Sequence, residues 1–167
     1  FPLRPVPGVE DKYRPCPRSM AVCWSALLSL YTTSLMSKHN MRMGFMFTAN
    51  AEGAGKSTLV KLALATVMGD LRQITWSRDE EAMRTRVDTW LMSGYGALFF
   101  DNVKSKIDSE LIEALMSFPT HTVRVFHTQK NLVVPNETTV FITGNDTETS
   151  SDANRRFLYV ELDMSNS

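Results

Sequence analysis

Apolar residues arrive along this chain in short bursts separated by polar and small residues, and the bursts come in two kinds. Residues 97–100 (Ala97-Leu98-Phe99-Phe100) and 138–143 are continuous, with little polar alternation. Runs of that kind suit strands buried on both faces of a parallel sheet. Residues 44–48 form a third. The stretches from Thr58 to Gly69, from Ser77 to about Met92 and from Asp108 or Ser109 to Phe118 read instead as helices. Gly69 suits the left-handed position past a helix end. Ser77 with Glu80 makes a Ser-x-x-Glu capping box, and Pro119 halts the third helix. Ser19 is placed to cap an earlier helix running to about His39. Residues 74–76 are expected as a short strand, residues 122–126 as a strand that pairs with residues 132–135 in a hairpin, residues 152–156 as a helical turn and residues 158–162 as a last strand. Strands that alternate with helices predict an α/β fold with a mostly parallel sheet flanked by helices.

Five of the seven prolines lie in residues 1–18, so that segment is expected as an extended arm or linker, and residues 19–167 as one domain. The chain of 167 residues is 43% hydrophobic and 22% charged, which is ordinary for a globular domain. Eighteen basic residues balance eighteen acidic ones, so the overall charge draws the chain to neither nucleic acid nor acidic lipid. Cys16 and Cys23 match no zinc spacing and make no disulfide framework, as expected of reduced thiols in a cytoplasmic protein. The longest apolar stretch, residues 20–36, is broken by Ser25, Ser29, Thr32, Thr33 and Ser34, and no membrane span is expected. The start Phe1-Pro2-Leu3 shows neither an initiator methionine nor a signal pattern, and a longer parent protein is expected. The three histidines have no metal spacing. Trp76, Trp90, Phe99, Phe100, Phe118 and the ten methionines are expected in the core, and Lys104 and Lys106 on a solvated face.

The chemistry concentrates in Asn50-Ala51-Glu52-Gly53-Ala54-Gly55-Lys56-Ser57-Thr58, where a predicted strand turns into a predicted helix. The pattern is G-x-x-x-x-G-K-[ST] with Asn50 in place of the first glycine. Gly53 and Gly55 allow the backbone to wrap a phosphate with its N–H groups inward, and the helix that follows offers its positive end to the same anion. Lys56 is placed to reach the β- and γ-phosphates and the Ser57 hydroxyl to ligate Mg²⁺. Asn tolerates left-handed φ better than most residues, so Asn50 is a modest departure.

Three further features follow. Asp101 ends the run 97–100; an acid of this kind ends a strand beside the phosphate loop and holds the metal. Asn145 follows the strand 138–143 and is placed to orient a water against the γ-phosphate, although Gly144-Asn145-Asp146 would equally make an ordinary turn. Arg155 and Arg156 could neutralise charge developing on the γ-phosphoryl group of a neighbouring subunit. They could equally pair with Asp152 or Glu161 at the surface.

In this order, the residues resemble an AAA+-type P-loop ATPase core, and more closely the superfamily 3 helicase-like domains of phage and mobile-element primase–helicase proteins. The resemblance runs from about residue 25 to 163. It is carried by residues 49–59, Leu98-Phe99-Phe100-Asp101-Asn102-Val103, residues 122–126, and Phe141-Ile142-Thr143-Gly144-Asn145 followed by residues 152–157. It implies an ATP (or other NTP) and Mg²⁺ site, with Asn145 as sensor 1 and Arg155 or Arg156 as an arginine finger across a ring interface. A β-hairpin inserted between Asp101 and Asn145 would offer Arg124 and Lys130 to DNA. The implied function is a ring-forming ATPase, a helicase or DNA-remodelling motor in the cytoplasm of a bacterial host.

Two departures stand out. The position after Asp101, usually a glutamate in this family, is Asn102, which orients water but cannot take its proton. If hydrolysis occurs, Asp101, Glu52 or an acid near Asp108 would assist, or turnover would be slow. The sequence also stops at Ser167, just after the last expected strand, where the family usually carries a C-terminal helical lid; either this is a superfamily 3 domain, which manages without one, or the chain is truncated. Asn102 keeps a second function open, a nucleotide-dependent assembly switch or scaffold with little hydrolysis. A P-loop small-molecule kinase is a third, poorly matched by an arginine pair so late in the chain.

Overall fold

The computed structural model of the protein describes residues 16–32, 35, 42–125, 130–145 and 147–164. In chain order the elements are α1 (Pro17–Thr32), β1 (Gly44–Ala49), α2 (Lys56–Met68), α3 (Glu80–Met92), β2 (Ala97–Phe100), α4 (Glu110–Ser117), β3 (Thr120–Arg124), β4 (Asn131–Pro135), β5 (Thr139–Asn145), α5 (Ser151–Asn154) and β6 (Phe157–Leu162). Four strands make one parallel sheet in the order β2-β5-β1-β6, and β3 pairs with β4 as an antiparallel hairpin.

The continuous apolar runs have a simple cause: both faces of the sheet are covered. Phe45, Phe47 and Ala49 of β1, Ala97 and Phe99 of β2, Phe141 of β5 and Val160 and Leu162 of β6 point to one side, where Ala26 and Leu30 of α1 and Val60 and Leu64 of α2 cover them. Met46, Leu98, Phe100, Val140, Ile142 and Phe157 point to the other, against Met83, Val87 and Leu91 of α3, Ile112, Leu115 and Met116 of α4 and Val123 of the hairpin. Side chains alternate across a strand, so a two-sided core demands apolar residues at every position. The chain forms three layers, helices on either side of the sheet.

Several expected boundaries move. Pro17 rather than Ser19 begins α1, since proline needs no hydrogen bond at a first helical position. Ser19 is instead buried inside the helix, where its Oγ accepts from the Glu161 N–H at 3.4 Å and ties α1 to β6. α1 ends at Thr32 and Leu35 stands in a turn, its N–H donating to Thr32 O at 2.9 Å; the rest of the expected continuation to His39 falls outside the described residues, as do residues 1–15 of the expected arm. The strand at residues 74–76 shrinks to one bridge, with the Ile74 N–H donating to Phe99 O at 2.8 Å and Trp76 packing edge-on against Phe100. Ser77 does not cap α3. Asp79 does, accepting from the Ala82 N–H at 2.8 Å, and Ser77 Oγ accepts from the Asp79 N–H. A carboxylate at that place also meets the helix's positive end.

β3 starts two residues earlier than expected, and Phe126 falls outside the described residues. β5 runs on to Asn145, so Gly144 is a strand residue and not part of a turn. Phe99 and Phe100 are buried, Trp76 and Trp90 half-buried, whereas Phe118 is 61% exposed just past α4. Met43 and Met92 are also exposed, so the methionines are not uniformly core.

The hairpin is fixed to the body by buried polar groups. Asp88 of α3, 2% exposed, accepts from the Arg124 N–H at 3.0 Å and lies 3.3 Å from His121 Nε2. Burial pushes the His121 imidazole below its ordinary value, against the pull of Asp88. Asn136, also buried, donates to the carbonyls of Leu115 and Phe118 at the end of α4. Histidine 121 thus has a packing role that its spacing in the sequence did not suggest.

Gly144 is where backbone meets backbone. A Cβ there would stand 2.8 Å from Val103 O and 2.0 Å from Thr147 Oγ1. Gly144→Ala is therefore expected to cost about 2 kcal/mol through overpacking, read as a lower urea midpoint with an unchanged slope. A midpoint equal to wild type would mean that the loop at Val103 yields freely.

Candidate functional site

Parallel strands deliver their C-terminal ends to one edge of the sheet, and the chemistry-bearing residues gather there. β1 leads through Asn50 into the loop, β2 ends before Asp101 and β5 ends in Asn145. Gly53 (φ 76) and Gly55 (φ 87) both take the left-handed conformation, and a Cβ on Gly53 would touch nothing, so the backbone conformation rather than crowding asks for glycine there. Ala54, 4% exposed, packs into the core beneath the loop. Gly55 caps α2 without any side chain, so no capping group closes the helix's first turn. A donor-rich, uncapped helix start of 13 residues behind a two-glycine loop fits a phosphate group. Ala51, Glu52 and Thr58 border this loop, with Glu52 and Thr58 exposed.

Lys56 is 8% exposed and its ammonium donates to Asn145 Oδ1. Burial lowers its pKa, partly offset by the charges of Glu52 and Asp101. The Ser57 hydroxyl donates to Asp101 Oδ1. Thr143 Oγ1 donates to the same oxygen at 2.8 Å and accepts from the Asn102 N–H at 2.8 Å. Lys61 Nζ lies 3.3 Å from Asp101 Oδ2. Burial alone would raise the Asp101 carboxyl, but hydrogen bonds from Ser57, Thr143 and Lys61 outweigh it and hold the group below its ordinary value. A hydroxyl and an ionised carboxylate are hard oxygen donors, the set that suits Mg²⁺. Ser57 and Asp101 fit that ion, and the cradle of residues 53–57 fits a phosphate.

Asp101 follows β2, which is not the sheet neighbour of β1, because β5 runs between them. Asp101 still reaches Ser57, and the strand between them contributes Thr143 and Asn145. Asn102 sits at φ 55 with its side chain exposed, an uncommon conformation for a residue other than glycine. Asn50, in place of the first motif glycine, is strapped to the chain after β6. Its Nδ2 donates to Asp163 Oδ1 at 2.6 Å and its Oδ1 accepts from the Met164 N–H at 3.0 Å. A cleft of about 410 Å³ opens beside it, lined by Thr48, Thr147, Tyr159 and Glu161 among others. The larger apolar groove, about 520 Å³ between Leu30, Met68, Tyr95, Leu132 and Val134, contains none of the phosphate-loop residues.

The remaining expected residues lie elsewhere. Arg155 and Arg156 precede β6, and the Gly44 N–H donates to Arg156 O at the start of β1, so both arginines stand at the opposite edge of the sheet. Arg156 is engaged within its own chain: Nε donates to Ser117 Oγ at 2.9 Å, one terminal nitrogen donates to Asp152 O at 3.0 Å, and Glu113 lies 3.8 Å away. Arg155 is exposed and its side chain makes no hydrogen bond or ion pair with a described residue. Arg124 pairs with Glu81 at the solvent-facing side of the hairpin, and Lys130 O accepts from the Val125 N–H at 3.1 Å. Lys106 and Asp108 pair at the surface.

Sequence reasoning missed Thr143, Lys61 and Asp163. Thr143 was visible as the hydroxyl that follows the apolar Val140-Phe141-Ile142, two places before Asn145, and Lys61 as the cation one helical turn past Ser57.

No protein-family model matches the chain, and no curated protein matches it in sequence. Its fold does match solved structures. The apo NrS-1 C-terminal region is 16% identical over 93% of this chain and 43% of that one, with a TM-score of 0.57. JCV helicase is 13% identical over 90% of this chain and 42% of that one, also with a TM-score of 0.57. The chain thus spans less than half the length of these structures. It shares with them an α/β fold, a four-stranded parallel sheet flanked by helices. Among the described residues, no helix is long and apolar enough to cross a membrane.

The depressed Asp101 value sets an expected pH dependence. A folded carboxyl held below its unfolded value contributes stability above the unfolded value, and this contribution is lost as pH falls through the folded one. The stability difference between wild type and Asp101→Asn is expected to shrink as pH drops from about 4 downward. A difference that stays constant from neutral to strongly acid pH in denaturant titrations would contradict the network.

Proposed function

We propose that the chain is the nucleotide-binding and hydrolysing core of a DNA helicase or DNA-remodelling motor that works as a ring in the replication of a phage or mobile element in the bacterial cytoplasm. The observation that carries the reading is the meeting of Ser57 and Asp101 beside Lys56 and Asn145, at the mouth of the loop 53–57. Three of these four come from different elements, which makes chance assembly a poor account of them.

In this reading the loop amides and Lys56 bind the β- and γ-phosphates of ATP or another NTP, and Ser57 and Asp101 hold Mg²⁺, whose charge would offset that of the phosphates. The bond between Lys56 and Asn145 keeps the ammonium extended in the free protein; a γ-phosphate would compete for it. Asn145 is then released to hold a water in line with that phosphate. Asn102 can help to orient the water, but its amide takes no proton. Phosphoryl transfer asks mainly for positioning and charge stabilisation, so such a site can turn over without a strong base.

Arg155 is the better finger of the pair. It stands about 20 Å, one six-residue strand length, from its own phosphate loop, so it could serve only a neighbouring subunit, and its side chain has no described partner to give up. Arg124 and Lys130, on the hairpin of β3 and β4, are the residues proposed to meet DNA. Asn102 also favours a second reading, an assembly switch that binds nucleotide and hydrolyses it little. Turnover at saturating magnesium–ATP, with and without single-stranded DNA, separates the two.

Lys56→Ala is expected to abolish nucleotide binding. Arg155→Ala should bind nucleotide normally and lose the turnover that rises steeply with protein concentration, by about 10³-fold if the finger resembles other arginine fingers. Arg156→Ala should instead lower stability by about 1–2 kcal/mol through its lost hydrogen bonds. Equal loss of binding in all three, measured by fluorescent-nucleotide titration, would contradict these assignments.

A further inference from the structure

Asp101 has two carboxylate oxygens, and they face different partners. Oδ1 accepts from Ser57 and Thr143. Oδ2 faces the Lys61 ammonium at 3.3 Å. Lys61 follows Ser57 by four residues on α2, and residues four apart lie on the same helix face. Both side chains therefore reach the same carboxylate from one rigid surface.

The two sides of the pair differ in exposure. The Asp101 side chain is 19% exposed and that of Lys61 41%. The carboxylate is fixed by its other hydrogen bonds, whereas the lysine head can swing into water while its stem stays on the helix. A half-exposed ammonium is the mobile partner of a fixed anion. Lys56, the other cation nearby, is directed to Asn145 instead.

We propose that Lys61 is a built-in counter-ion that neutralises Asp101 until a divalent metal arrives with nucleotide, and that the metal must displace it, so that Lys61 weakens the site's hold on metal. The inference rests on the reading of Asp101 as a metal ligand. Its physical basis is that a divalent ion at Ser57 and Asp101 would stand within a few ångströms of the ammonium, and like charges so close repel. Lys61 would also discourage metal binding before nucleotide, whose phosphates bring the negative charge needed to balance both cations. Since the lysine is well solvated, the effect is modest, about three- to five-fold in metal affinity.

The test uses Mn²⁺ as the metal and ADP at saturation, with free manganese read by electron paramagnetic resonance. Lys61→Met keeps the length and helix propensity of the side chain without its charge. It is expected to bind Mn²⁺ about three- to five-fold more tightly than wild type, and Lys61→Arg about as wild type does. A second readout follows the lysine itself. Acetylation of Lys61, measured by mass spectrometry, should be slow in the free protein and rise on addition of magnesium and nucleotide towards the rate in Asp101→Asn. Should Asp101→Asn lose manganese affinity while Lys61→Met binds no more tightly than wild type, the Lys61 proposal is overturned and the metal reading stands. An Asp101→Asn protein that binds manganese as tightly as wild type removes the metal reading and this proposal with it. Equal acetylation of Lys61 in free wild type and Asp101→Asn would likewise refute the ion pair.

Discussion

Ser57 on the first turn of α2 and Asp101 at the end of β2 meet across a strand that separates them, and Thr143 of that strand completes the contact. Its hydroxyl donates to Asp101 and accepts from the Asn102 amide, so one buried side chain holds in place both residues that follow β2. Everything else at this edge of the sheet depends on that arrangement. β5 must lie between β1 and β2 for Thr143 to point at Asp101, and it must continue to residue 145 for Asn145 to meet Lys56. Gly144, between those two, must lack a Cβ for β5 to pass Val103. Three consecutive residues therefore carry three separate constraints, set by charge, by backbone approach and by reach.

The sheet order also divides the molecule by task. The C-terminal edge holds the phosphate-loop residues, and the N-terminal edge holds the arginine pair and the base of the hairpin. A domain built this way presents different chemistry at its two ends; in the ring proposed above these ends would face one another, since a heterologous interface joins unlike surfaces. Arg155 and Arg156, adjacent in sequence, are separated by their surroundings: one is bound into its own chain and the other is left to solvent. Asp88 of α3, buried beneath the hairpin, ties the hairpin to that helix through His121 and the Arg124 amide.

Much of this was legible in the sequence. A sheet buried on both faces writes itself as runs without alternation, and Ala97 to Phe100 and Val140 to Ile142 carried that signal because each of their side chains meets one of two cores. The two-glycine loop before α2 was legible because Gly53, Gly55, Lys56 and Ser57 stand at the spacing a phosphate-binding motif requires. Strand order was not legible: nothing local in residues 97–101 says which strand will lie next to them, so the intervening β5 appears only in three dimensions. The cap at Asp79 was obscured by an equally good signal two residues earlier, at Ser77. Residues 74–76 read as a strand by composition, yet only Ile74 finds a partner at the sheet edge. Thr143 and Lys61 were missed because their importance comes from contacts with Asp101, residues far away along the chain.

The central claim is that Ser57 and Asp101 flank a divalent metal beside the phosphates of a bound nucleotide. Crystals grown with Mn²⁺ and a slowly hydrolysed ATP analogue, measured at a wavelength where manganese scatters anomalously, test it directly. The account predicts a single anomalous peak in contact with Ser57 Oγ and within reach of the Asp101 carboxylate, next to phosphate density in the loop 53–57. A peak bound elsewhere on the protein, or phosphates seated away from that loop, would contradict it.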